Sequence, residues 1–154
     1  MMKRILLLCC LLGAGILSAS EAELATLRNQ AELGNAQAQL ALGTAYEQGQ
    51  GVARDLEQAL RWYQRAAEQG LAEAQYQLAY LLAEAEISPV AAAEWMAKAA
   101  DQGMVEAQYL MGMIHAEGIG VAQDTRQARR WLEKAIAAGH AEAEDYLNNH
   151  MPGR

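Results

Sequence analysis

The feature that most constrains this chain is an internal repeat of 36 residues. Residues 35–70 align with residues 104–139 without a gap, and residues 71–103 form a third copy that is three residues shorter. A period of this length is typical of arrays in which each unit is a helical hairpin that buries its apolar face against its neighbours. Residues 21–34 and 140–154 are similar to half-units at the two ends. The sequence therefore predicts one repeat domain over residues 21–154.

Composition and spacing both favour helices. The chain has 2 prolines and no phenylalanine, and it is rich in residues of high helix propensity such as alanine, leucine and glutamate. The first helix of each unit carries an alanine followed four residues later by Leu or Met, which places the two on one helical face. These pairs are Ala38 and Leu42, Ala74 and Leu78, Ala107 and Met111, and Ala143 and Leu147. We expect them to form the seam between helices of an all-α fold.

The second helix of each unit carries a tryptophan flanked by alanines. Trp62, Trp95 and Trp131 occupy equivalent positions, and we expect each ring to fill the space between successive hairpins, burying on the order of 200 Å². Glycines in left-handed conformation are expected to end these helices at 70, 103 and 139. Side chains that cap helix N-termini are expected at Asp55, Ser88 and Asp124.

Together these positions resemble the Sel-1-like repeat, a relative of the tetratricopeptide repeat. In the first unit the resemblance is carried by Ala38, Leu42, Gly43, Tyr46, the turn at 49–52, Asp55, Ala59, Trp62, Tyr63, Ala66, Ala67, Gln69 and Gly70. It implies a right-handed superhelix of antiparallel helix pairs, whose first helices line a concave face used for adaptor and scaffold work. The chain departs from the pattern in its shortened middle loop, in Leu82 and His115 where the first unit has Tyr46, and in lacking the cysteine pairs of some secreted members.

Positions that line the concave face of the related tetratricopeptide fold can be transferred to this chain. The predicted binding residues are Gln37, Thr44, Glu47, Glu73, Tyr76, Tyr80, Glu84, Glu106, Tyr109, Met113, Glu117 and Glu142. The same transfer adds Leu40, Gln48, Asp145 and Asn149. Acids interleaved with tyrosines suit a protein segment bearing Lys or Arg, through charge-assisted hydrogen bonds and cation–π contacts. The alternative is that Tyr76 and Tyr109 belong to the inter-helix core and that the glutamates form a solvated surface.

Residues 1–20 have a different character. Lys3 and Arg4 precede an uncharged run over residues 5–17, and small residues follow at 18–20, a pattern typical of a cleavable secretory signal. Thirteen apolar residues are too few to cross a bilayer as a helix, so we expect no stable membrane anchor and a periplasmic or secreted protein. Both cysteines, Cys9 and Cys10, lie in this run, so residues 21–154 can form neither disulfides nor thiolate metal sites.

Charge and residue types favour a binding protein over an enzyme. Twelve basic and 19 acidic residues give a net charge of −7, and loss of Lys3 and Arg4 would leave 10 and 19, or −9. An acidic chain disfavours nucleic acid and favours basic protein segments. Beyond residue 20 the only serine is the predicted helix cap Ser88, so no nucleophilic constellation, cofactor or metal site is expected. We predict an exported interaction module that acts as adaptor, regulator or inhibitor; the alternative is an envelope hydrolase acting on peptidoglycan or a β-lactam.

Overall fold

A computed structural model describes residues 21–151, which form eight helices and no strand. The first, α1, is helical over residues 21–32. The others are α2 (Ala36–Gln48), α3 (Leu56–Glu68), α4 (Ala72–Glu84), α5 (Pro89–Asp101), α6 (Val105–Glu117), α7 (Thr125–Ala137) and α8 (Ala143–His150). The predicted all-α fold is confirmed. The predicted signal segment, residues 1–20, lies outside the described residues.

The chain divides within α3 into two compact units. In the first unit, which ends at Trp62, the core contains Ala31, Ala38 and Leu42, so α1 and α2 contact each other through the predicted seam residues. In the second unit, from Tyr63 onward, α4 packs on α5, α5 on α6, α6 on α7 and α7 on α8. Each helix of the second unit thus packs against its neighbours in sequence, as expected for stacked hairpins. Within residues 21–151, no helix combines the length and apolarity that crossing a membrane requires.

The helix ends follow the sequence. Asp124 accepts hydrogen bonds from the backbone N–H groups of Arg126 and Gln127, and Ser88 accepts one from Ala91. Asp55 caps α3 in the same way. Gly70, Gly103 and Gly139 have φ values of 88°, 87° and 89°, so the predicted left-handed caps are confirmed.

The three repeat tryptophans are partly buried. The residue after each of Trp62, Trp95 and Trp131 is buried more deeply: Tyr63 is 0 %, Met96 5 % and Leu132 0 % exposed. Trp95 and Trp131 do pack against the core cluster of α4–α6. Their outer faces are covered by a lysine three residues later, with Nζ 3.6 Å from the ring centroid of Trp95 and 3.9 Å from that of Trp131. The indoles therefore seal the edge of the core, and the next residue fills it.

A buried glutamine in the first helix of each hairpin bonds the preceding helix. Nε2 of Gln39, Gln75 and Gln108 donates to the carbonyl oxygens of Ala31, Ala67 and Ala100, at 3.0, 3.1 and 3.2 Å. Each of those carbonyls also accepts a hydrogen bond from the N–H of a turn glycine. Each glutamine thus bonds to the second lone pair of a carbonyl oxygen near a helix end, where intrahelical donors are missing. Sequence reasoning did not identify this role.

Candidate interaction site

Two tyrosines of α4 lie beside a carboxylate of α6. The rings of Tyr76 and Tyr80 are nearly parallel, with an interplanar angle of 23° and centroids 6.5 Å apart. Burial is the main cause that raises the pKa of Tyr76, and the negative charge of Glu106 raises it further. Three predicted binding residues on two different first helices are therefore close in space.

The tyrosine of α6 contacts the turn before α8 and α8 itself. The Tyr109 ring stacks on His140 with centroids 4.2 Å apart and meets the Tyr146 ring edge-on at 6.1 Å. Burial raises the pKa of Tyr109, and the charges of Glu142 and Glu106 add to the effect. The phenol is thus held in its neutral form, in which it is both a hydrogen-bond donor and a flat aromatic face.

His140 links this aromatic cluster to Glu106. Its Nδ1 accepts a hydrogen bond from the backbone N–H of Glu142 at 3.3 Å, and its Nε2 lies 3.0 Å from Oε2 of Glu106. Because Nδ1 is an acceptor, the ring proton resides on Nε2 and is donated to the carboxylate. Glu106 remains about half exposed, with 49 % of its side-chain surface accessible. One of its faces is positioned by His140, and the rest is available to a ligand.

A second carboxylate and tyrosine pair joins the ends of α6 and α8. The Tyr146 hydroxyl donates to Oε1 of Glu117 at 3.2 Å, and the ring of His150 stacks on Tyr146 at 4.2 Å. Burial raises the pKa of Tyr146, followed by the charge of Glu117 and the hydrogen bond to it. These side chains border a cavity of about 260 Å³ that also involves Gln123 and Thr125.

We call the residues of α4, α6 and α8 that form this surface the tyrosine–acid face. It comprises Tyr76, Tyr80, Glu106, Tyr109, Glu117, His140, Glu142 and Tyr146. Its carboxylates are acceptors and its phenols are donors; Tyr80 is 47 % exposed, whereas Tyr76, Tyr109 and Tyr146 are half-buried against the core clusters. Among the described residues, no group of three His, Cys, Asp or Glu side chains could hold a metal ion. The carboxylates can accept hydrogen bonds from cationic side chains.

The other predicted binding residues are not part of the tyrosine–acid face as defined by these contacts. Glu73 and Glu84 are exposed on α4, and Met113 is half-buried beside Tyr80 in an apolar cavity of the second unit. In the first unit Gln37 is exposed, whereas Thr44 and Glu47 are half-buried. Gln48, Asp145 and Asn149 are also exposed. Leu40 was predicted to line the face, but it is 7 % exposed and belongs to the core.

Sequence reasoning missed His140, Tyr146 and His150. Counting from Leu147 as the seventh position selected Asp145 and Asn149 in the last helix. Helix α8 begins at Ala143, whereas α2 begins at Ala36, one residue after the position equivalent to His140, so His140 lies in the turn and outside the counted positions. The signal that could have revealed the residues is the concentration of ring side chains in the first eleven residues of the half-unit, HAEAEDYLNNH.

Three consecutive segments of the chain, residues 36–71, 72–104 and 105–140, match the family model of the Sel1 repeat. The chain belongs to the Sel1 repeat family. The matched segments agree with the predicted units to within one residue at each boundary, including the short middle one. Sel1 repeat proteins mediate protein–protein interactions, and their fold is typically a non-enzymatic scaffold.

Solved structures of Sel1 repeat proteins support the assignment. A Sel1 repeat protein from Oxalobacter formigenes is 35 % identical with a TM-score of 0.74, over 82 % of this chain and 98 % of that one. A protective antigen of uropathogenic Escherichia coli strains, which displays the same repeat fold, is 35 % identical with a TM-score of 0.76. The match covers 79 % of this chain and 27 % of the antigen. The solenoid fold implied by the repeat pattern is confirmed.

A curated relative carries a regulatory name. Chitin synthase regulatory factor 3 of Schizosaccharomyces pombe is 35 % identical to this Sel1 repeat chain over 139 residues. The match covers 86 % of this chain but 15 % of the yeast protein. The chain thus spans about 15 % of the length of this curated relative.

Proposed function

We propose that this Sel1 repeat chain is an exported interaction module that binds a basic segment of a protein partner on the tyrosine–acid face. The observation that carries the proposal is the cluster formed by Glu106, His140 and Tyr109. The His140 ring stacks on Tyr109 with centroids 4.2 Å apart, and its Nε2 lies 3.0 Å from Oε2 of Glu106, which stays about half exposed. Burial raises the pKa of Tyr76 and of Tyr109, and the charge of Glu106 adds to both effects. A Lys or Arg placed there could donate a charge-assisted hydrogen bond to Glu106 and contact an aromatic ring at the same time.

The type of partner follows from charge and from the state of the phenols. The chain is acidic, with a net charge of −7, which favours encounters with basic surfaces and disfavours nucleic acid. The phenols are neutral at physiological pH, since the ordinary pKa of tyrosine is about 10 and burial raises it further at Tyr76, Tyr109 and Tyr146; they therefore contribute no charge to the surface. Discrimination for a basic segment therefore rests on the carboxylates Glu106, Glu117 and Glu142.

The biological role we propose is regulation or inhibition of a partner in the cell envelope or outside the cell. Residues 1–20 have the charge and apolar pattern of a secretory signal, which supports a periplasmic or secreted location. Similarity to part of a chitin synthase regulatory factor supports a regulatory role. A helical scaffold achieves such regulation by occupying a segment of its target.

The experiment is capture of partners from an envelope extract by the tagged chain, followed by binding measurements with the captured partner. Glu106→Gln combined with Tyr76→Leu should weaken binding by about tenfold or more, since a charge-assisted hydrogen bond and a cation–π contact are both lost. Glu133→Gln, an exposed acid on α7, is the matched control and should bind normally. Equal affinity of all three proteins for the partner would contradict the proposal.

A further inference from the structure

An apolar cavity lies between α4, α5 and α6, next to the shortened loop of the middle repeat. Four residues, 85–88, connect α4 to α5, whereas seven connect the helices of the other two hairpins. The cavity has a volume of about 240 Å³, and its walls are almost wholly apolar. Tyr80 and Ala83 of α4, Ala93 of α5, Met113 and Ile114 of α6, and Ile119 contribute to its walls. All of them belong to the second unit.

Large apolar side chains are exposed around this cavity. Tyr80, Ile87, Val90 and Ile119 are 47 %, 55 %, 56 % and 45 % exposed, and they are four of the five large hydrophobic residues exposed in the described part of the chain. The loop after α6 lies so close to the start of α5 that a Cβ on Gly120 would be 2.1 Å from the carbonyl oxygen of Pro89. This contact brings Ile119 beside the residues that follow the short loop. A concentration of exposed apolar side chains at one place is characteristic of an interaction site.

Exposed carboxylates adjoin the cavity, while Lys98 of α5 lies over the ring of Trp95. From residue 66 to residue 97 the chain contains five glutamates and no Lys, Arg or His. Glu84 directly follows Ala83 of the cavity wall, Glu86 lies in the short loop, and both are exposed. Apolar walls beside uncompensated carboxylates complement a segment that carries an apolar side chain next to basic ones.

We infer that this cavity receives one large aliphatic or aromatic side chain of a protein segment whose flanking residues are Lys or Arg. A volume of 240 Å³ falls below the roughly 300–1,000 Å³ of sites for drug-sized ligands, yet it exceeds the roughly 150 Å³ that accommodates a benzene ring. Tyr80 lines the cavity and belongs to the tyrosine–acid face, so the cavity adds an anchor to that surface. The basic flanking residues rest on the proposed function. The apolar side chain that fills the cavity is a separate claim, which rests on the cavity alone.

The test is selection of peptides from a random library displayed on phage, using the full-length chain as bait. The expected consensus contains one large apolar residue with Lys or Arg on either side. Ala83→Leu fills the cavity from an exposed helical position. Peptides selected with this variant should still be enriched in Lys and Arg but should no longer be enriched in a large apolar residue. Ala137→Leu, an exposed position of α7, should give the same consensus as the unchanged chain. The synthesised consensus peptide should bind Ala83→Leu at least about tenfold more weakly than Ala137→Leu.

The outcomes separate the two claims. Selection of basic peptides without an apolar preference would overturn the anchor cavity and leave the tyrosine–acid face intact. Selection of apolar peptides without basic residues would support the cavity and contradict the proposed partner. A random consensus would overturn both. A concentration-dependent dimer that Ala83→Leu disrupts would show that a second copy of the chain, and not a basic partner, fills the cavity.

Discussion

The amide oxygen of Gln75 accepts a hydrogen bond of 2.8 Å from Nε2 of Gln102. In the next repeat, the equivalent oxygen, Oε1 of Gln108, is buried and has no hydrogen-bond partner among the described residues. The reason is local, because the residue equivalent to Gln102 is Ala138. The backbone is the same at both positions, with φ and ψ of −80° and 2° at Gln102 and −87° and 1° at Ala138.

Ala138→Gln should therefore stabilise the protein by supplying the missing donor. The gain should be about 0.5–1.5 kcal/mol, the usual net value of a hydrogen bond, because it pairs a buried acceptor. Urea unfolding would measure it as a higher midpoint with an unchanged slope. Ala138→Gln in a Gln108→Leu background is the control, since the new amide then has no acceptor to reach. An equal gain in both backgrounds would contradict the explanation.

A substitution at the contact between α6 and α7 should be costly. A Cβ on Gly112 would lie 2.6 Å from Cγ of Leu132, a side chain that is fully buried. Gly112→Ala should lower the free energy of unfolding by about 1–3 kcal/mol through overpacking, although alanine alone would favour the helix by about 1 kcal/mol. Denaturant unfolding provides the measurement.

A double-mutant cycle with Leu132→Ala identifies the cause of that loss. In the Leu132→Ala background the clash is removed, so Gly112→Ala should become neutral or stabilising. The equivalent position of the preceding hairpin is Ala79, which is itself fully buried, so alanine is compatible with the repeat where the facing side chain permits it. The same loss in both backgrounds would mean that another contact excludes the methyl group.

Alkaline pH should destabilise the second unit. The pKa values of Tyr76, Tyr109 and Tyr146 are raised above 10.0 in the folded chain, with burial as the first cause. Between the unfolded and the folded pKa the native state binds more protons than the unfolded state, so stability is constant below about pH 10 and falls above it. Tyr109→Phe keeps the stacked ring and should reduce this fall. Unfolding midpoints measured across alkaline pH would test it; an unchanged pH profile in the variant would contradict the assignment.

His140 should compete with a ligand for Glu106. His140→Phe preserves a ring against Tyr109 but removes the donor to Oε2 of Glu106, so the carboxylate becomes fully available. Affinity for a lysine-containing peptide selected by the chain should rise by about two- to tenfold, the equivalent of one net hydrogen bond. Fluorescence anisotropy would measure the change. The gain should vanish when Glu106→Gln is added, and a gain that persisted would exclude Glu106 as its source.

The repeated positions made the fold predictable from the sequence. Features that do not follow from the repeat spacing could not be predicted in this way. The recurrence of Ala74 and Leu78 in each unit indicated the helix seam, and counting from those positions brought Tyr76, Glu106 and Tyr109 onto one surface. The buried role of Gln75 could not be read in this way, because glutamine is usually exposed in helices. Met96 and Trp95 are neighbours in sequence, so they lie about 100° apart around the helix. The spacing of the repeat does not determine which of the two side chains faces the core.

The last helix shows a second limit. At the position of the bonding glutamine it carries Glu144, which is exposed and whose ionised carboxylate cannot donate to the preceding helix. Helix α8 begins two residues later than counting along the repeat would place it, at Ala143. Tyr146 then lies beside Tyr109, at a position that the repeat rule assigns to no binding residue. The structure thus adds to the candidate site a residue that the repeat pattern does not mark.

The most direct test of the central claim is to locate the bound segment on the chain. Nuclear magnetic resonance spectra of the chain, recorded while a selected lysine-containing peptide is added, report which side chains it contacts. We predict chemical-shift changes at Tyr76, Tyr109 and Tyr146 that saturate at the same peptide concentration. These changes should become smaller as salt is added, since salt screens the attraction between the carboxylates and the basic peptide. Saturable shifts confined to other surfaces, with these three tyrosines unchanged, would contradict it.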